Sequence, residues 1–184
     1  MSVLTRNRLG GLVFAAAVFG VDRLVKWALT GPLLLQDKGL IPLLPFFDLR
    51  WTENYGVSLG LFTATSAASK YGLVAMTSAI AIGVLIWLLR EKARGDITAL
   101  ALVLGGALGN IWDRLSRGYV VDYADLHFGD FRPFLIFNIA DAAITVGVLI
   151  LLARSVLLRE KPAKSGEAHS GDASLADAPA TENA

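Results

Sequence analysis

The chain has 184 residues, 54% of them hydrophobic, and a mean hydropathy of +0.55. This composition is too apolar for an ordinary soluble domain of this length and favours an integral membrane protein. The net charge of +1 suggests no nucleic-acid partner, and the lack of cysteine excludes disulfides, thiol catalysis and thiolate metal sites.

Four apolar segments are long enough to cross a bilayer and predict transmembrane helices at about 9–29, 70–89, 97–115 and 134–155. The first resembles the core of a secretory signal, but its apolar run is longer and no small-x-small site closes it. We therefore expect it to remain as a helix. The four helices form one predicted domain, residues 1–158, of the all-α integral membrane class.

Lys and Arg are more frequent on the side of the two termini than in the two predicted external loops, 30–69 and 116–133. Positive residues remain preferentially in the cytoplasm, so we expect both termini there and both loops outside. Residues 159–184 are rich in Ala, Ser, Asp and Glu, which is typical of a disordered cytoplasmic tail.

In the first predicted helix, Asp22 and Lys26 are four residues apart and therefore share one face. Two interpretations stay open. The residues form an ion pair at the membrane interface with their charged ends in water, or they brace a polar site shared with other helices.

In the first external loop, Phe47, Leu49 and Trp51 alternate with polar residues, and this period of two predicts a half-buried strand. A turn is expected at residues 54–56. We predict a small extracytoplasmic β-sheet in this loop, able to cradle an extended peptide. Residues 56–60 also match G-x-S-x-G, but that pattern needs a large α/β sheet and a histidine base, so Ser58 is not predicted to be a nucleophile.

The third predicted helix contains Gly-Gly-Ala-Leu-Gly at residues 105–109. Small residues four apart let helix backbones approach closely, so we expect these glycines to serve packing. Asn110, Asp113 and Arg114 follow within one turn and line one side of the helix end.

The fourth predicted helix carries Asn138 and Asp141 on one face. A carboxylate inside an apolar span is costly and usually functional, so we favour acid/base chemistry over a polar clamp between helices. Asp122 and Asp125, just upstream, are equal candidates for a second carboxylate. No H-E-x-x-H motif is present, so no metal is expected.

The rival interpretation is a small transporter or proton-coupled channel, in which buried polar residues line an ion path. Two observations disfavour it. The chain has no internal repeat of the transporter kind, and its polar residues cluster towards one membrane face.

Several motifs together resemble lipoprotein signal peptidase, also called signal peptidase II, and the resemblance covers about residues 9–155. They are Asp22 with Lys26, Asn54-Tyr55-Gly56, the block 105–114, Val120-Val121-Asp122-Tyr123, and Phe137-Asn138-Ile139-Ala140-Asp141. The resemblance implies an aspartic endopeptidase of the bacterial cytoplasmic (inner) membrane. Such an enzyme removes the signal peptide of diacylglyceryl-modified prolipoproteins on the N-terminal side of the lipid-modified cysteine.

The same resemblance makes Asp122 and Asp141 the catalytic pair, near the extracytoplasmic face, with no metal or organic cofactor. Its implied supporting and substrate-binding residues are Asp22, Lys26, Asn54, Gly106, Asn110, Asp113, Arg114, Asn138 and Ala140. The implied partners are the lipid-modified prolipoprotein and membrane lipids, and no oligomeric partner is indicated. Val57-Ser58-Leu59 and Ala142 depart from the usual family pattern, which affects the substrate cradle more than the reaction.

Overall fold

The computed structural model describes residues 2–56 and 67–157. Ser58 and the tail at 159–184 lie outside these ranges. The described elements are, in chain order, α1 (Val3–Thr30), α2 (Leu35–Lys38), β1 (Leu40–Leu44), β2 (Phe47–Asn54), α3 (Ala67–Arg90), α4 (Arg94–Ser116), β3 (Val120–Leu126) and α5 (Ile139–Leu157).

The protein is mostly helical, with a small antiparallel sheet, as predicted. Within the described ranges, α3, α4 and α5 are each long and apolar enough to cross a membrane. Helix α1 is the longest, but Asp22, Arg23 and Lys26 fall close together in its last third. Passage of α1 across the membrane, and therefore the count of four spans, stays a prediction.

The start of the last helix differs from the prediction. Helix α5 begins at Ile139 instead of about residue 134. The reason is that the backbone of Phe137 pairs with β3: its N–H donates to the Ala124 carbonyl at 3.2 Å, and its carbonyl accepts from the Ala124 N–H at 2.8 Å. Asp141 therefore lies in the first turn of α5, instead of about two turns inside a helix that begins at residue 134.

Helix α4 packs between α1 and α5 through its glycines, which confirms the packing interpretation. A Cβ atom on Gly105 would lie 2.5 Å from the Ala15 carbonyl oxygen of α1, and one on Gly106 would collide with the Ala140 carbonyl oxygen of α5. Since real Cβ contacts are never this short, the glycines are what permit the close approach of the three helices.

The sheet has the strand order β1-β2-β3, with both pairs antiparallel. The prediction of a sheet within the first external loop was incomplete, because β3 comes from the second loop. The turn after β2 is present at the expected place, since β2 ends at Asn54. In the β2–β3 register Thr52 lies opposite Asp122, so pairing of the two loops fixes the position of that carboxylate.

The apolar side of the sheet packs against the end of α1. Phe47, Leu49 and Trp51, the alternating residues of β2, contact a buried cluster that includes Leu29 and Tyr123. Burial of this apolar surface holds the sheet on the helices.

We predict that Gly106→Ala lowers the free energy of unfolding by about 1–3 kcal/mol, because the added methyl group overpacks the α4–α5 contact. Denaturant titration in detergent measures this. Gly83→Ala is the control, since no atom lies within 4 Å of a Cβ at that helical glycine. It should leave stability unchanged or raise it by up to about 1 kcal/mol. Equal effects of the two substitutions would contradict the packing role of Gly106.

Candidate active site

Asp122 is buried in β3, and its two carboxylate oxygens accept hydrogen bonds from two side-chain amides. Asn138 Nδ2 donates to Oδ1 at 2.6 Å, and Asn54 Nδ2 donates to Oδ2 at 2.9 Å. Asn54 is held in turn by the turn after β2, where its Oδ1 accepts the Gly56 N–H at 2.8 Å. Gly56 has a φ of +78°, a conformation that favours glycine.

Asp141 and Asn138 hold each other at the start of α5. The Asn138 side-chain oxygen accepts the Asp141 N–H at 2.9 Å, and Asp141 Oδ2 accepts the Asn138 N–H at 3.2 Å. This reciprocal pair has the geometry of a capping box, which satisfies backbone donors that would otherwise lack a partner. It fixes the Asp141 carboxylate at the positive end of the helix.

Two amides connect the two carboxylates. Asn110 of α4 donates from Nδ2 to Asp141 Oδ1 at 2.8 Å. Its Oδ1 accepts from Asn138 Nδ2 at 3.3 Å, and the same Asn138 group contacts Asp122. The network Asp122–Asn138–Asn110–Asp141 brings together residues from β3, α4 and α5.

Burial, and to a smaller extent the negative charge of Asp141, raise the pKa of the Asp122 carboxyl to about 6. Hydrogen bonds from Asn54 and Asn138 and the charge of Lys26 oppose this rise only in part. A carboxyl with such a pKa can hold or release a proton near neutral pH, which suits general acid/base chemistry.

Two clefts reach the carboxylates from different sides. One of about 650 Å³ is lined by Asp122, Asn54, Glu53 and Arg132, and one of about 310 Å³ is lined by Asp141, Phe137 and Val146. Phe134 lines both. The first cleft is partly polar and runs beside the sheet, whereas the second is almost entirely apolar. A substrate in both clefts would contact both carboxylates.

A buried ion cluster lies behind β3. The Lys26 ammonium is 3.0 Å from Asp22 Oδ1 and 2.7 Å from Asp113 Oδ2. Arg23 contacts the same two carboxylates, at 2.9 Å and 2.7 Å. Asp22 and Asp113 are fully buried and Lys26 is 1% exposed, so the bracing interpretation replaces that of an interfacial pair. Asp113 Oδ2 also accepts the Val121 N–H at 3.2 Å, which ties the cluster to the residue before Asp122.

The other expected supporting residues lie nearby in different roles. Gly106 and Ala140 form the close contact between α4 and α5. Arg114 interacts electrostatically with Asp141 and Asp122, and its buried Nε donates to no acceptor among the described residues.

Asp125 is separated from this site by its pairing. It is 1% exposed, and its carboxylate accepts from Arg50 Nε at 2.8 Å and from Arg132 Nε at 3.2 Å. Three positions apart on one strand, Asp122 and Asp125 point to opposite faces of the sheet. The geometry therefore brings Asp122, and not Asp125, to Asn138 and Asp141.

Sequence reasoning missed two residues of this region. Arg23 bridges Asp22 and Asp113. The sequence contained an indication of this role, because Arg23 is the third charged residue, with Asp22 and Lys26, within five residues of an otherwise apolar helix. Tyr123 belongs to a motif of the family resemblance but was given no role, and its hydroxyl oxygen accepts the Ile139 N–H at 3.3 Å. In the described ranges, no three His, Asp or Glu side chains converge on a possible metal position.

Fold and site together define a helical membrane protein with two amide-bridged carboxylates beside an open cleft. Residues 14–157 match the family model of signal peptidase (SPase) II. Lipoprotein signal peptidases of Sphingopyxis alaskensis and Rhizorhabdus wittichii are 57% and 56% identical to the chain, and each comparison covers 82% of the chain and 87% of the relative.

Two solved structures, each of a bacterial membrane enzyme, share the fold with TM-scores of 0.69 and 0.67. They are 25% and 24% identical to the chain, and the superpositions cover 83% of it and 94% and 93% of theirs. The chain belongs to the signal peptidase II family and is a peptidase.

We predict that Lys26→Met lowers the free energy of unfolding by about 3–5 kcal/mol, because it leaves two buried carboxylates, Asp22 and Asp113, to share the single charge of Arg23. Arg154→Met is the control. It removes an ion pair with Asp96 whose side chains are 31% and 25% exposed, and we expect little or no change in stability. Denaturant titration of both variants in the same detergent tests this, and a Lys26→Met protein as stable as Arg154→Met would contradict the bracing role.

Proposed function

We propose that the protein is an aspartic endopeptidase that removes the signal peptide of diacylglyceryl-modified prolipoproteins on the N-terminal side of the lipid-modified cysteine. Membership of the signal peptidase II family supports the substrate class. The observation that carries the aspartic mechanism is the amide-bridged pair Asp122 and Asp141, one member of which has a pKa raised to about 6.

In the proposed mechanism the two carboxyls share one proton, because two neighbouring carboxylates do not both ionise without a large cost. Asp141 is the ionised member, and its free lone pairs take a proton from a water molecule. The water oxygen then bonds to the scissile carbonyl carbon, while Asp122 donates its proton to the carbonyl oxygen.

Collapse of the tetrahedral intermediate breaks the C–N bond. The proton held by Asp141 passes to the departing amine, and the proton on the former carbonyl oxygen returns to Asp122, which restores the starting state. Asn138 and Asn110 keep the two carboxyls in register through both steps, since each amide contacts one carboxyl and the other amide. No metal takes part in this scheme.

The two clefts suggest which part of the substrate binds where. The partly polar cleft beside β2 suits the extended peptide around the scissile bond. The apolar cleft at Asp141, which Ala142 and Thr145 also line, lies on the exposed side of α5 and suits an acyl chain. Burial of each methylene of that chain contributes about 0.8 kcal/mol.

The proposed setting is the bacterial inner membrane, with α1, α3, α4 and α5 spanning it. Both termini lie in the cytoplasm and the sheet lies at the extracytoplasmic face. This orientation follows from the excess of Lys and Arg at the ends of the helices opposite to Asp122.

We predict that Asp122→Asn and Asp141→Asn each reduce cleavage of a lipid-modified prolipoprotein by at least about a thousandfold, because neither amide can exchange the proton. The measurement is turnover of purified enzyme in detergent or lipid, with thermal unfolding to verify folding. A folded variant with substantial activity would remove that residue from the pair.

Two control variants sharpen this test. Asp125→Asn keeps the size of a buried carboxyl that is paired with Arg50 and Arg132 and not with the amide network, so kcat per folded molecule should stay near that of the wild type. Because Arg132 also lines the Asp122 cleft, any effect should be confined to KM. Ser58→Ala should also leave turnover nearly intact. Loss of activity in a folded Ser58→Ala protein would favour a serine nucleophile instead.

The pH profile of kcat/KM tests the role of Asp122. As the acid of the pair, Asp122 must be protonated, so kcat/KM should fall about tenfold per pH unit as the pH rises above its pKa of about 6. Asn54→Ala removes a hydrogen bond that lowers this pKa, so the alkaline limb should move to higher pH. Thr52→Val, opposite Asp122 in the sheet, is the control and should leave the limb in place. A rate that rises with pH through this range would reverse the two roles.

A further inference from the structure

A separate cleft lies at the end of the helix bundle remote from Asp122 and Asp141. It has a volume of about 320 Å³ and lies between the first turns of α1 and α4. Arg6, Asn7, Arg94 and Thr98 supply its polar groups, and Phe14 and Ile97 form its apolar part. The mechanism proposed above does not use this cleft.

The two arginines of this cleft have no carboxylate partner in the part of the chain that the structure describes. The nearby acidic side chains are engaged elsewhere. Asp96 contacts Arg154 at 2.5 Å, and Glu91 accepts the N–H groups of Lys92 and Ala93 at 2.7 and 2.9 Å. Two guanidinium groups therefore face one cleft without compensation, and an anion bound there would be attracted to both.

The cleft also continues into an apolar groove. Phe14 lines both, and the groove, of about 370 Å³, runs beside α1 at Ala17, Val18 and Val21. Ala142 and Val146 of α5 also line this groove, and both line the Asp141 cleft as well. A ligand with an anionic head and a hydrocarbon chain matches a basic cleft that continues into an apolar groove. A free phosphate ion would use only the arginines.

We propose that this cleft binds an anionic phospholipid, with its phosphate between Arg6 and Arg94 and one acyl chain along Phe14 into the groove beside α1. Basic pockets between membrane helices are known to suit such headgroups. The site would be occupied by lipid of the surrounding bilayer, and its headgroup cleft shares no residue with the two clefts at Asp122 and Asp141.

The test is lipid retention by the full-length protein, measured by native mass spectrometry after incubation with equal amounts of phosphatidylglycerol and phosphatidylcholine. We expect the wild type to retain phosphatidylglycerol preferentially. Arg6→Gln/Arg94→Gln should reduce that retention by about tenfold or more, because each cation near an anionic headgroup contributes to binding.

Two further variants make the result specific. Arg90→Gln/Lys92→Gln removes the same number of exposed charges at the same end but outside the cleft, and should bind as the wild type does. Gly10→Phe changes no charge but fills the cleft, since no atom lies within 4 Å of a Cβ at Gly10, and should also lose the lipid. A single Arg6→Gln or Arg94→Gln variant replaces the double one if the latter does not fold.

Three outcomes would overturn the proposal. Unchanged phosphatidylglycerol retention in the folded arginine variant would remove the site. Equal losses in both charge variants would mean a diffuse electrostatic effect. Displacement of the lipid by inorganic phosphate at the same concentration would mean an anion site without lipid specificity.

Discussion

The reciprocal hydrogen bonds between Asn138 and Asp141 are the interaction on which the site depends. They end the irregular segment that pairs with β3 and begin α5 in the same place. Because the Asn138 amide is also bound to Asp122, the start of the helix and the spacing of the two carboxyls are set by one side chain. In a helix that began a turn earlier, Asn138 would lie within the helix and could not form this pair of hydrogen bonds with Asp141.

Helix α4 is the frame to which the other parts of the site are fixed. Its glycines bring α1 and α5 close, its Asn110 holds Asp141, and its Asp113 joins the buried ion cluster to the backbone of β3. The ion cluster is expensive to bury, and its members are retained in a neutral arrangement of two cations and two carboxylates. We interpret the ion cluster as a costly feature that is retained because it fixes the relative positions of α1, α4 and β3.

Much of the fold followed from hydropathy and periodicity, because a helix of twenty apolar residues is a local property of the chain. The start of α5 did not, since the apolar run at 134–137 satisfies a hydropathy pattern while the backbone of Phe137 pairs with Ala124. The pairing of β3 with β2 was not predicted, because strands about seventy residues apart leave no local signal of their pairing. Likewise, spacing left Asp122 and Asp125 as equal candidates for the second carboxylate. The family resemblance favoured Asp122, and the structure then showed that Asp125 is paired with arginines.

The sheet that joins the two loops also has a consequence for biosynthesis. Strand β2 leaves the ribosome before α3 and α4, but its partner β3 follows both helices, and Asn138 and Asp141 come later still. In the nascent chain, β2 therefore remains unpaired with β3 while α3 and α4 are inserted. Long-range contacts that complete this late are slow to form. The network of Asp122, Asn138, Asn110 and Asp141 therefore stays incomplete until the start of the last helix has been made, so that no shorter nascent chain holds both carboxyls in place.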